Sequence, residues 1–117
     1  MFSDRTVIPN ELRHRGRLLA GEYVWDPRDV PMVVESLSDH GMAVVGFEIW
    51  EDRGGVPFVH SASDLEEPPA NDWQAFVSAT GAAVLADFRR RKLPPAALIQ
   101  LTWITELDMK RMKGRER

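Results

Sequence analysis

Apolar positions in this chain fall into blocks of differing period, separated by glycine, proline and acid. The densest block runs from Met42 to Asp52, Met-Ala-Val-Val-Gly-Phe-Glu-Ile-Trp-Glu-Asp, bounded by Gly41 and Gly54-Gly55. A short run this rich in β-branched and aromatic residues predicts a strand buried on both faces and central to its sheet. Strict alternation puts Val45, Phe47 and Ile49 on one face and Val44, Gly46, Glu48 and Trp50 on the other. Upstream, Val30, Val33, Val34 and Leu37 recur at helical spacing, with Asp29 as N-cap, Pro31 in the first turn and Gly41 as the stop. Downstream, Glu51 to Gly55 reads as a turn and Val56 to His60 as a short return strand that Pro57 marks as an edge.

Ser61 to Ala70 has the composition of a loop, and Asn71 or Asp72 is placed to cap a long helix from Trp73 to Arg91. Its core stripe is Trp73, Phe76, Val77, Thr80, Gly81, Val84, Leu85 and Phe88. A mid-helix glycine costs ~1 kcal/mol against alanine, so Gly81 predicts close approach to the sheet. Pro94-Pro95 ends the helix, and Ala97 to Thr105 forms a second strand in which Ile99, Leu101 and Trp103 alternate with Gln100 and Thr102. Glu11 to Trp25 fits either a short helix or extended pieces, and Gly16 and Gly21 favour two short elements. The charged tail, Glu106 to Arg117, leaves a frayed helix and disorder both open. Together these elements predict an α/β (α+β) fold: a two-layer sandwich with helices packed on one face of a small mixed β-sheet. A single domain covers residues 1–117, with its core in about 12–105.

Composition narrows the picture further. The chain is 44% hydrophobic and 28% charged, ordinary for a globular protein. It has no cysteine, hence no disulfide, thiolate nucleophile or zinc-thiolate site. No apolar run nears the ~20 residues of a membrane-spanning helix, and the N-terminus lacks an export pattern, so the expected address is cytoplasmic. The net charge of −3 conceals an uneven distribution. From Glu22 to Asp72 twelve acids face two bases, Arg28 and Arg53, and both flanks are basic. Such asymmetry concerns partners and association rates.

Candidate chemistry is sparse. The three histidines are far apart and no metal-ligand spacing joins them. Neither a nucleophile elbow nor a glycine-rich phosphate loop is present, and no cofactor is implied. His60, Ser61, Ser63 and Asp64 are residue types of a nucleophilic triad crowded into one loop, whereas a triad is a spatial arrangement. Glu48, Glu51 and Asp52 are the acids suited to acid–base work, and a small hydrolase would need Glu48 to meet His60. Arg89 to Lys92 and the basic tail permit nucleic-acid binding, but the chain is acidic and no aromatics are interleaved with those bases. The expectation is a protein without catalytic activity that binds no nucleic acid and no membrane.

The stretches Val30–Leu37, Val44-Val45-Gly46-Phe47-Glu48-Ile49, Asn71-Asp72-Trp73, Phe76–Phe88 and Leu98–Trp103 follow one another as in a known family. Over about residues 12–105 the chain resembles small bacterial immunity proteins, partners of polymorphic toxins, and in particular the immunity protein forty family. It departs at Phe47, where the family has a second glycine, and at Glu48, where it has aspartate. The resemblance implies a non-enzymatic cytoplasmic protein that binds and neutralises a toxin domain. A basic cognate toxin domain would suit the acidic segment, which can steer association. The expected partner-binding surface is Glu48, Glu51, Asp52, Asp64, Glu66 and Glu67, flanked by Trp50 and Trp73 as aromatic anchors. The competing arrangement is a structural or regulatory interaction module, a homodimer paired through the edge strand Val56–His60.

Overall fold

The structure, a computed structural model, describes residues 8–62 and 72–115. The ambiguous N-terminal stretch resolves into a one-and-a-half-turn helix α1 (Asn10–Arg15) and a hairpin of two short strands, β1 (Arg17–Leu19) and β2 (Glu22–Trp25). Ala20 and Gly21 make the turn, both at positive φ (51° and 82°). The packing of α1 explains why it exists at all. Leu12 is fully buried, and its carbonyl accepts a 3.0 Å hydrogen bond from the indole Nε1 of Trp25 on β2.

Gly16, which joins α1 to β1, lies against the same indole. A methyl group there would stand 2.8 Å from Trp25 Nε1 and 3.1 Å from the Val24 carbonyl oxygen. Neither is free to move, because the ring is buried and the carbonyl is main chain. Gly16→Ala is therefore expected to destabilise by about 1–3 kcal/mol, as overpacked sites do. Urea unfolding measures this directly, and an unchanged midpoint would mean that the ring shifts at no cost.

Helix α2 (Val30–Asp39) buries the predicted stripe Val30, Val33, Val34 and Leu37. Its start differs from expectation. Asp29 makes no side-chain cap; Asp26 does, accepting from the Arg28 N–H at 2.9 Å and so opening a 3₁₀ turn over Pro27–Asp29 that leads into the helix. Strand β3 (Ala43–Arg53) follows, then β4 (Val56–Ala62) across a two-residue turn at Gly54-Gly55. Positive φ at both glycines (64° and 87°) is the turn that matches the twist of a hairpin. Helix α3 (Trp73–Arg90) is capped by Asp72, whose carboxylate accepts from the Ala75 N–H at 2.7 Å. Strand β5 (Leu98–Ile104) completes the sheet. The charged tail is helical, α4 (Glu106–Arg115), and opens on a reciprocal cap between Thr105 and Asp108.

The sheet runs β1-β2-β5-β3-β4 and is antiparallel at every pairing, not mixed. The expected parallel neighbours are absent because each helical crossover skips a strand: α2 carries the chain from β2 past β5 to β3, and α3 from β4 past β3 to β5. The fold is thus mixed helix and strand, with four α-helices and five strands among the described residues. Its main core joins Val30, Val33, Val34 and Leu37 of α2 and Val84 and Phe88 of α3 to Val44, Phe47 and Ile49 of β3 and Ile99, Leu101 and Trp103 of β5.

Two details correct the sequence reading. Val44, assigned by alternation to the face opposite Phe47, shares a face with it. Val45 has no partner on β5, where Val44 faces Trp103 and Gly46 faces Thr102. This β-bulge inserts one residue and reverses the facing of everything before it. Gly81, second, serves helix–helix rather than helix–sheet contact, since an added Cβ would meet Ser38 Oγ of α2 at 3.1 Å. Among the described residues no helix is long and apolar enough to cross a membrane.

Candidate functional site

The acidic end of β3 carries half of the expected surface, Glu48, Trp50, Glu51 and Asp52, and strand geometry divides it. Glu48, Trp50 and Asp52 point to one face; Phe47, Ile49 and Glu51 point to the other. On the first face, Leu19 of β1, Val24 of β2 and Leu98 of β5 enclose Trp50, which is only 6% exposed. Trp50 is therefore a buried side chain and not the surface anchor expected. Asp52 receives Arg17 Nη2 of β1 at 3.0 Å and the Gly55 N–H at 2.7 Å. Strands β1 and β3 are separated by two others, a span of roughly 14 Å in a flat sheet. The Arg17–Asp52 pair and the Leu19–Trp50 contact thus require the sheet to curl, with this face inside the curl.

On the opposite face, Glu51 Oε2 accepts from Arg53 Nε at 3.0 Å and lies 3.2 Å from His60 Nε2. Between these two bases stands Phe58. The Arg53 guanidinium lies 3.8 Å from its ring centre, and His60 meets it edge-on at 5.0 Å. The Arg53 hydrogen bond, with a smaller contribution from His60, holds the Glu51 carboxyl below the usual range. A depressed folded-state pKa supplies stability above the unfolded value, and that contribution is lost as pH falls through the folded one. Arg53→Ala is therefore expected to raise the Glu51 titration midpoint toward that of an ordinary glutamate. Carbon-detected NMR of the side-chain carboxyl reads it, and an unmoved midpoint would exclude Arg53 as the cause.

The remaining residues are placed apart. Trp73, half-buried at the start of α3, donates its Nε1 to the Gly41 carbonyl at 2.8 Å and stacks at a tilt on Phe76. It pins the helix N-terminus to the entry of β3. Asp64, Glu66 and Glu67 lie outside the described residues. The Glu48–His60 pair that a hydrolase would need is not formed, because His60 bonds Glu51 on the other face of β3. Among the described residues no three histidine, aspartate or glutamate side chains gather as a metal site. At the end of α3, Arg90 and Arg91 are held by Asp87, and Arg91 also reaches Ser61 and the Ala62 carbonyl on β4.

Sequence reasoning passed over the outer surface of β4. Val56 (64% exposed) and Phe58 (41%) stand out on the Glu51 face of this edge strand, and Val59 (45%) on the Trp50 face. The signal was available: a Val-Pro-Phe-Val run on an edge leaves apolar side chains without a covering layer. That edge is blunted against strand addition. Arg53 and Val56 flank the two-residue turn and exchange hydrogen bonds, so the next residue, Pro57, faces outward, where it has no N–H to offer. Beyond it a second bulge sets the register from Trp50–Val59 to Ile49–Ser61, with His60 the extra residue. No protein-family model, curated protein or solved structure matches this chain.

Proposed function

We propose that this chain is a non-catalytic binding protein of the immunity kind, acting in the cytoplasm to hold and neutralise a cognate, basic toxin domain. The fold suits that reading as a two-layer sandwich, helices gathered on one side of the sheet and the β3–β4 hairpin left to the partner. The observation that carries it is the framing of Phe58: an exposed ring fixed by Arg53 and His60, which are tied together by Glu51. Ordering these side chains before binding lowers the entropy lost on association. Phe58, with Val56 on the same face, takes the aromatic role that the sequence assigned to Trp50. The acidic segment from Glu22 to Asp72 supplies long-range attraction for a basic partner.

The edge-paired homodimer is the weaker reading, because Pro57 removes one outward donor and the bulge at His60 interrupts the regular edge that strand pairing needs. The direct test is titration calorimetry against the product of the neighbouring gene, with co-expression to score survival. Phe58→Ala is expected to weaken binding tenfold or more, the effect of a central aromatic contact, while leaving the fold intact by circular dichroism. Undiminished binding by that variant would remove the hairpin as the docking surface. No binding by the intact chain would remove the function.

A further inference from the structure

We propose that Glu48 is the seat for one basic side chain of the partner, a lysine or arginine received on the inner face of the curled sheet. The proposal rests on the function proposed above and names the contact that would make that function selective for a basic protein. Of the three β3 acids, Glu51 is matched by Arg53 and His60, and Asp52 by Arg17 and the Gly55 N–H. Their charges are largely spoken for within the chain. Glu48 is half-buried, yet it makes no hydrogen bond or ion pair among the described residues. A carboxylate partly withdrawn from water without a partner is costly.

Its neighbours define what would satisfy it. On this face Glu48 is flanked along β3 by Gly46 and Trp50, and across the sheet by Ala62 of β4 and Gln100 of β5. Gly46 and Ala62 add almost no bulk, so the carboxylate is recessed beside the larger Trp50 and Gln100. Gln100 donates its Nε2 to the Leu101 carbonyl at 2.8 Å, which leaves Oε1 as its unused end; that oxygen is buried and accepts no hydrogen bond. Trp50, more than nine-tenths buried, has an unpaired Nε1 on the same face. An unpaired carboxylate calls for a cation rich in N–H groups. An ammonium brings three donors and a guanidinium five, with no acceptor in either. An anionic ligand is excluded by Glu48 itself.

The test is an NMR titration of the full chain with Nα-acetyl-arginine amide and Nα-acetyl-lysine amide, using Nα-acetyl-glycine amide as the uncharged control. Shifts are expected to gather at Glu48, the Gln100 side-chain amide and the Trp50 indole N–H, saturating with the basic probes and absent with the control. Glu48→Gln, nearly the same shape, is expected to weaken the saturating effect at least fivefold, whereas Glu35→Gln on α2 leaves it unchanged. Equal binding by Glu48→Gln, or shifts spread evenly over the surface acids, would overturn the assignment. Calorimetry with the toxin domain separates the two proposals. Binding lost in Phe58→Ala but untouched in Glu48→Gln overturns the seat and leaves the function standing. A chain that seats arginine at Glu48 yet ignores the toxin domain does the reverse.

Discussion

Phe47→Ala is expected to cost about 3–5 kcal/mol, the range for truncating a fully buried phenylalanine. Phe47 is 1% exposed and sits in the main core on β3, facing the end of α3. Its ring meets Phe88 nearly at right angles, with centres 5.7 Å apart, and the Arg91 guanidinium lies 5.4 Å from its centre. Removing it strips a partner from Phe88 and leaves a cavity under Arg91, which loses the ring beneath its charge. Relaxation is limited, because β3 is paired on both sides and cannot move inward. Set against a total stability of about 5–15 kcal/mol, this is among the largest effects expected for a point substitution here. Urea unfolding at unchanged m-value gives the number, and a loss under ~1 kcal/mol would show that the site collapses freely.

The second large effect comes from a pair of deletions. Removing Val45 takes out the bulged residue, after which Val44 and Gly46 become consecutive opposite Trp103 and Thr102. Every other β3 side chain keeps its face, so the chain is expected to fold. It loses only the packing of Val45 against the cluster of Ala43, Phe76, Val77 and Ile104, about 1–2 kcal/mol. Removing Glu48 instead joins Phe47 to Ile49 within a regular stretch. One of the two must then turn away from the core, and half of a doubly paired strand turns with it. That variant is expected to lose its native structure. Amide NMR spectra distinguish the outcomes: well dispersed for the Val45 deletion, collapsed for the Glu48 deletion. Collapse in both would mean that the bulge itself is indispensable.

The same bulge marks where the sequence stops being legible. Helical stripes and cap residues are local, and the chain declares them: Val30 to Leu37, Asp72 before Trp73, and Ile99, Leu101 and Trp103 all appear where periodicity puts them. A bulge is a property of two strands, and nothing in Val44-Val45-Gly46 announces that Val45 will lack a partner. Strand order is equally hidden, since β3 meets β5 some fifty residues further on. The candidate site suffered most from this. Asp52 looked free because its counter-ion, Arg17, is 35 residues away, and Trp50 looked presentable because Leu19 and Val24 arrive only when the sheet curls. Glu48 was the exception. A carboxylate inside an apolar run is conspicuous in any reading, and it is the β3 acid to which no counter-charge comes among the described residues.

Sheet order has a consequence for how the molecule is made. β5 lies between β2 and β3, yet it is the last of the five strands to leave the ribosome. Until it does, β2 lacks its inner neighbour and β3 can pair only with β4, so Phe47 and Ile49 wait with half their surroundings missing. A nascent chain halted before Leu98 would therefore hold two separate hairpins and three helices with no strand to join them into one sheet, a species exposed to aggregation and proteases. Commitment to the native state should come late and all at once, as residues 98–104 slide into the gap.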